Sequence, residues 1–293
     1  MPGRRKISKL LKHVAYSSIA RVFVCFINRV KLESGLRIGE VLGLLLYLLD
    51  AKGRERAIKN LMSSFPGKSS KEIRRTAKLC YINMGRNMAE FSRFARPNRS
   101  ELLNLVRIEG RENLDRALAL GKGVLLMSAH FGNWELLGGV LAAKGYKVNA
   151  IVRNLRIESL NRLVNELRTA AGFRPIPREK GLKSALRSLR GNQILAILAD
   201  IDTSSEGVFV DFFGRPAYTP SGPVLISLKT GAPIVPAFII REGSRNHRVV
   251  IGEPLRITGD VKRDTQTFTR IVEVFVRRYP YQWIWMHRRW RED

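Results

Sequence analysis

Apolar and polar positions change their rhythm near residue 100 of the chain. Ahead of that point the apolar residues recur at helical spacing. Ser69 followed three residues later by Glu72 has the form of a capping box. Behind it Ile73, Ala77, Cys80, Met84, Met88, Phe91 and Ala95 trace the apolar face of one long amphipathic helix, predicted to end before Pro97. From about Arg107 short β-rich runs alternate with helical patterns. Strands are expected at Val124 to Met127, Lys147 to Val152, Ile194 to Leu198, Ile234 to Ile240 and Arg248 to Ile251. Helices are expected at Ile157 to Ala171, Lys180 to Leu189, Ser221 to Thr230 and Thr265 to about Arg278, the last stopped by Pro280. This alternation predicts an α/β fold, a central largely parallel or mixed sheet flanked by helices.

The N-terminal segment has a different pattern. Arg4, Arg5 and Lys6 precede an apolar stretch from Leu10 to Val30 that superficially resembles a signal peptide, yet Arg21 interrupts it and no small-residue cleavage site follows. A central Arg costs about 2.5–3.5 kcal/mol on insertion scales, which also argues against a transmembrane helix. The run Val41 to Leu49 is too short to span. An interfacial helix fits better: Val22, Phe23, Phe26, Ile27 and Val30 share one stripe, and Arg21, Asn28, Arg29 and Lys31 would meet headgroups. The division expected is an N-terminal amphipathic, membrane-associated helical segment over residues 1–50 and a catalytic domain over 51–293. Helices packed into the core are the other reading of the same stripe.

Composition narrows the class. The 293 residues hold 52 Lys plus Arg against 25 Asp plus Glu, a net charge of +27, with 45% hydrophobic residues. That excludes disorder, a collagen-like fibre and a disulfide scaffold. Cys25 and Cys80 form no CxxC pair, so zinc ribbons are excluded and a reducing compartment is the default. The charge demands an anionic partner: nucleic acid, an anionic membrane, a phosphorylated substrate or an acidic carrier. No nucleic-acid-binding signature accompanies it.

No Walker sequence, GxGxxG or GxSxG is present. The four histidines, His13, His130, His247 and His287, show no metal-ligand spacing, so neither metal nor cofactor is expected. His130 lies in HFGNWE, directly after an apolar strand, with Glu135 five residues on. In a chain with four histidines and 25 acids, roughly 0.3 such pairs arise by chance, and His287 with Glu292 makes a second one. Context separates the two. His130 stands at the carboxyl end of a strand, where open α/β sheets place their sites, and Gly132-Asn133 can turn the chain into a helix. The expected chemistry is a dyad in which neutral His130 takes a proton from an attacking hydroxyl and Glu135 orients the ring. With no positioned Ser or Cys nucleophile, direct acyl transfer to an alcohol is preferred to a covalent intermediate. The alternative is a strand-end histidine with a helix-N-terminal acid.

From HFGNWE outward the chain resembles the bacterial lipid A biosynthesis acyltransferases, the lauroyl/myristoyl branch of the H-x4-D/E glycerolipid acyltransferases. The first block is Gly121 to Val124 with Ala129 to Glu135, and the second is Arg153, Asn161, Arg168 and Gly172. Asp200, Gly207 to Val210, Phe212 to Gly214, Ala217 and Thr219 resemble the third; Gly231 to Pro233, Val235, Pro236 and Arg241 resemble the fourth. Gln282 to Trp285 and His287 to Trp290 resemble the C-terminal signature, and Asn60-Leu61 with Phe65-Pro66 also fit upstream. One departure is Asp200-Ile201-Asp202, where many members read Asp-Gln.

The resemblance implies an enzyme on the cytoplasmic face of the cell inner membrane. It would move a fatty acyl chain from acyl carrier protein to a hydroxyl of a Kdo-bearing lipid A precursor. His130 would be the base, oriented by Glu135. Arg168 would stand near the thioester oxygen or a substrate phosphate, Asp200 would hold a substrate hydroxyl or an arginine, and Arg153 would be a weaker contact. Trp283, Trp285 and Trp290 would serve as core, interface anchors or substrate contacts. An acidic carrier and an anionic glycolipid would together account for the positive charge, leaving no need for nucleic acid. The rivals are an acyltransferase for another glycolipid, such as a phosphatidylinositol mannoside, and a non-enzymatic basic membrane or nucleic-acid adaptor.

Overall fold

The computed structural model describes residues 2–96, 98–202 and 205–291, with only the backbone described for residues 2–12 and 180. Pro97 and Glu292, which figure in the expected helix stop and in the His287 pair, lie outside the described residues. The chain opens with four helices, α1 (Pro2–Ile27), α2 (Leu32–Leu49), α3 (Ala51–Ser64) and α4 (Ser70–Ser92), followed by the short α5 (Ser100–Leu103). Then come β1 (Val106–Glu109), α6 (Arg111–Ala119), β2 (Val124–Ser128), α7 (Trp134–Ala143), β3 (Val148–Val152), α8 (Glu158–Ala171) and β4 (Arg174–Pro177). The remainder is α9 (Gly181–Arg190), β5 (Ile194–Leu198), β6 (Gly207–Phe212), β7 (Arg215–Pro220), α10 (Gly222–Thr230), β8 (Ile234–Glu242), β9 (Asn246–Ile251) and α11 (Val261–Arg278).

Seven strands form one sheet in the order β1-β9-β8-β2-β5-β3-β4, antiparallel only where β8 meets β9. The strands β8, β2, β5, β3 and β4 run in one direction, so their carboxyl ends share one edge. β2 is buried along its whole length, as a strand covered on both faces must be. The hairpin β6–β7 stands apart from the sheet. All five expected strands form, while β1, β4, β6 and β7 were not anticipated. β1 and β4 span only four residues each, too few for a period to register, and β4 carries two prolines.

The Ser69–Glu72 capping box forms as the spacing predicts, with both reciprocal hydrogen bonds. Apolar periodicity then misleads in the second half of α4. Met88 is exposed, whereas Asn83, Asn87 and Glu90 are buried. On the adjoining face of α4, Gly85 meets α2. A Cβ at Gly39 would stand 2.4 Å from the Gly85 carbonyl oxygen, and one at Gly43 would stand 2.3 Å from that of Tyr81. The glycines of α2 therefore bring two backbones into contact, and while Leu32 and Leu36 are buried, the leucines of its last turn face outward. Val41, Leu45, Leu48 and Leu49 are exposed, as are Val14, Ile19, Val22 and Phe26 of α1. The stripe expected on α1 splits: Ile27 is fully buried and reaches Gly35 of α2, while Val22 and Phe26 face out. Among the described residues no helix is long and apolar enough to cross a membrane.

Candidate active site

Register builds the site. Ser128 at the end of β2 pairs with Leu198 at the end of β5, so the residues two positions further along each strand, His130 and Asp200, face one another. Asp200 Oδ2 accepts the His130 backbone N–H at 2.9 Å, and Oδ1 lies 2.8 Å from the His130 Nδ1. The Trp283 indole N–H donates to Oδ2 at 2.7 Å. Asp200 is buried, and burial alone would raise its carboxyl. The His130 ring, the Trp283 N–H and the His130 backbone N–H outweigh that and hold it below the usual aspartate range. A carboxylate facing Nδ1 places the proton there, which leaves Nε2 with its lone pair on a ring that is 22% exposed.

Glu135 makes no hydrogen bond to His130 among the described residues. It follows the turn at Gly132-Asn133, lies in the first turn of α7 and faces α8, where Arg168 takes it. Arg168 Nη2 donates to Glu135 Oε1 at 2.6 Å, and Nε lies 3.1–3.2 Å from both carboxylate oxygens. The expected His130–Glu135 dyad is thus a His130–Asp200 pair beside a Glu135–Arg168 pair. Asp200, expected on a substrate hydroxyl or an arginine, is the histidine's partner. Arg168, expected near the thioester oxygen or a substrate phosphate, spends two of its nitrogens on Glu135 and contacts Asn165 at 3.3 Å with a third. Arg153 stands exposed one residue past β3, at the same edge of the sheet. Trp283, Trp285 and Trp290 are buried members of the core.

Two rings flank His130. Trp134 meets it edge-on with centroids 5.2 Å apart, and His287 stacks at 6.1 Å. Partial desolvation and then the charge of the neighbouring His130 hold the His287 ring below the ordinary histidine range. The loop under His130 is pinned from three sides. Gly132 donates to the Gln282 carbonyl at 2.9 Å and accepts from Asn87 Nδ2 at 2.5 Å. Its φ is +58°, and a Cβ would strike the Ile239 carbonyl oxygen at 1.8 Å, so only glycine fits. Asn133 caps α7 through the Leu136 N–H at 3.1 Å.

Beneath that loop lies a buried polar cluster that apolar periodicity missed. Arg241 Nη1 and Nη2 donate to the two Glu90 oxygens at 2.6 and 2.7 Å, Nη2 also to Asn87 at 2.7 Å and Nε to Asn83 at 2.8 Å. His247 Nε2 lies 2.9 Å from Glu90 Oε1, and Asn133 Nδ2 donates to Oε2 at 2.7 Å. Burial alone would raise the Glu90 carboxyl; Arg241 and His247 overcome it and hold it far below the usual range. The signal was present in the sequence: Asn83, Asn87 and Glu90 recur at i, i+4 and i+7, one polar stripe of an amphipathic helix.

A stretch of 191 residues, 64% of this chain, is 31% identical to the phosphatidylinositol mannoside acyltransferase of Mycobacterium tuberculosis (strain ATCC 25618 / H37Rv), covering 60% of that protein's length. The chain is also 24% identical over 237 residues to a lipid A biosynthesis acyltransferase of Haemophilus influenzae, covering 80% of this chain and 74% of that one. It is 26% identical over 245 residues to the lipid A biosynthesis myristoyltransferase of Escherichia coli (strain K12), covering 81% and 75%. The sequence profile described as bacterial lipid A biosynthesis acyltransferase matches residues 4–292. With a profile spanning nearly its whole length and these acyltransferases as relatives, the chain belongs to the bacterial lipid A biosynthesis acyltransferase family.

Proposed function

We propose that this protein is a peripheral membrane O-acyltransferase that moves a fatty acyl chain from acyl carrier protein to a hydroxyl of an anionic, Kdo-bearing lipid A precursor. The observation that carries the reading is the His130–Asp200 pair at the carboxyl edge of the sheet, with Nε2 left open, in a chain of this family. In the proposed step Nε2 takes the proton of the acceptor hydroxyl as its oxygen attacks the thioester carbonyl. Asp200 stabilises the imidazolium. Collapse of the tetrahedral intermediate breaks the C–S bond, and the imidazolium returns its proton to the leaving sulfur. The Glu135–Arg168 pair ties the start of α7 to α8 and fixes the wall beside His130.

Seating on a bilayer is supported by the outward leucines of α2 and by the exposed Lys31 and Arg37, which would meet anionic headgroups. The proposed site of action is the cytoplasmic face of the inner membrane, as the family resemblance implies. A second acceptor, a phosphatidylinositol mannoside, is favoured by the 31% identity to the mycobacterial relative. The test incubates the protein with palmitoyl and myristoyl thioesters of acyl carrier protein and of coenzyme A, each with vesicles carrying one acceptor. Lipid products are read by mass spectrometry. A mass gain of one acyl chain on either glycolipid is expected, and it must vanish in His130→Ala. Transfer that persists in that variant overturns the mechanism, and a folded protein acylating neither acceptor overturns the function.

A further inference from the structure

The buried cluster around Glu90 touches no reacting atom, yet two of its members bind the loop that carries His130. Glu90 binds Asn133 and Asn87 binds Gly132, three and two residues past the histidine. The Glu90 carboxylate is saturated: its two oxygens receive Arg241 twice, His247 and Asn133. Glu90 and Arg241 are each 1% exposed in their side chains. Such a pair is a poor way to gain stability, because desolvating both charges consumes most of their attraction, and well-packed apolar residues often serve as well. Its geometry is better explained by what it holds. The Gln282 side chain continues the frame, accepting from the Arg241 backbone N–H at 2.8 Å and donating to its carbonyl at 2.9 Å, while the Gln282 carbonyl receives Gly132.

We infer that Asn87 and Glu90, braced by Arg241 and His247, are positioning residues that set the loop from Gly132 to Asn133 so that His130 stays on Asp200 with Nε2 open. The inference rests on His130 being the base. Three strands of argument support it. Gly132 is wedged against Ile239 with no room for a Cβ, so the loop is held to one conformation. His130 is bound to Asp200 by its backbone as well as its ring, so a shift of the loop breaks both bonds together. Finally, α4 cannot drift, because its other face is locked on the glycines of α2.

The experiment compares four variants on the most active donor and acceptor of the panel above: Asn87→Ala, Glu90→Gln, His130→Ala and Asn149→Ala. Asn149 is the control, a buried asparagine whose Nδ2 donates to Gln193 at 2.9 Å, remote from the loop. Asn87→Ala and Glu90→Gln are expected to lower kcat by about tenfold or more while KM for the donor stays within about twofold. Asn149→Ala should lose about as much stability as Asn87→Ala, with kcat unchanged. If Asn87→Ala and Glu90→Gln behave as Asn149→Ala does, while His130→Ala is inactive, the inference fails alone. If His130→Ala remains active, the underlying reading fails instead. Asn87→Ala keeps the test decisive should Glu90→Gln not fold, since it leaves the ion pair in place.

Discussion

Asp200 holds His130 at two points, its ring through Nδ1 and its backbone through the peptide N–H, from a strand that lies 70 residues further along the chain. One carboxylate therefore fixes the tautomer, the rotation and the position of the proposed base.

Asp200→Asn should expose this dependence. A carboxamide can turn its NH2 toward Nδ1 and favour the tautomer with its proton on Nε2, the wrong one for a base. Turnover is expected to fall by about 10²–10⁴-fold with the fold retained. Steady-state rates, read beside a thermal melt, check both.

Glu135→Gln distinguishes the two carboxylates. Activity should fall far less than in Asp200→Asn, because the tie to Arg168 weakens while the imidazole keeps its carboxylate. A loss as deep as that of Asp200→Asn would return Glu135 to the role of orienter.

Acid should destabilise the fold through Glu90 and Asp200. Both carboxyls titrate below their ordinary range in the folded chain. Their stabilisation is complete above the unfolded values of about 4 and is lost as pH falls through that range toward the folded values. Melting temperature should be insensitive to these groups from pH 8 to about 5 and drop below about 4. Glu90→Gln should cost about 3–5 kcal/mol at pH 7, by leaving Arg241 unpaired, and should flatten the acid decline. Thermal denaturation as a function of pH reads both effects.

The two faces of α2 should separate stability from membrane binding. Gly39→Leu drives a side chain into the Gly85 carbonyl and should cost at least about 1–3 kcal/mol. Leu45→Ser with Leu48→Ser, on the exposed face, should change stability by no more than about 0.5 kcal/mol per site yet weaken sedimentation with anionic vesicles. Unchanged sedimentation would remove the seating role of α2.

Carrier recognition should depend on salt. Exposed charges are screened beyond about 8 Å at physiological ionic strength, so KM for a thioester on the acidic carrier should rise with salt. KM for the same acyl group on a small, weakly charged thioester should not. Equal responses would assign the +27 charge to the lipid acceptor alone.

The sequence by itself determined the local parts: the capping box at Ser69, five strands, the helices after them, and a histidine delivered to the carboxyl end of an apolar strand. These depend on neighbours within a few residues, where side-chain period and backbone preference act directly. It also marked Glu135 and Arg168 as residues of interest, without their relation to each other. The partner of His130 was decided elsewhere. A carboxylate five residues away looks near, but the turn at Gly132 sends the next helix toward α8. Meanwhile the pairing of Ser128 with Leu198 brings in an aspartate from a distant strand. The same holds for Glu90, Arg241 and His247, drawn from α4, β8 and β9 and polar enough to read as surface. Only strand order, register and the packing of α4 over the sheet could bring them together, because burial and charge pairing depend on distances in space that spacing along the chain does not encode.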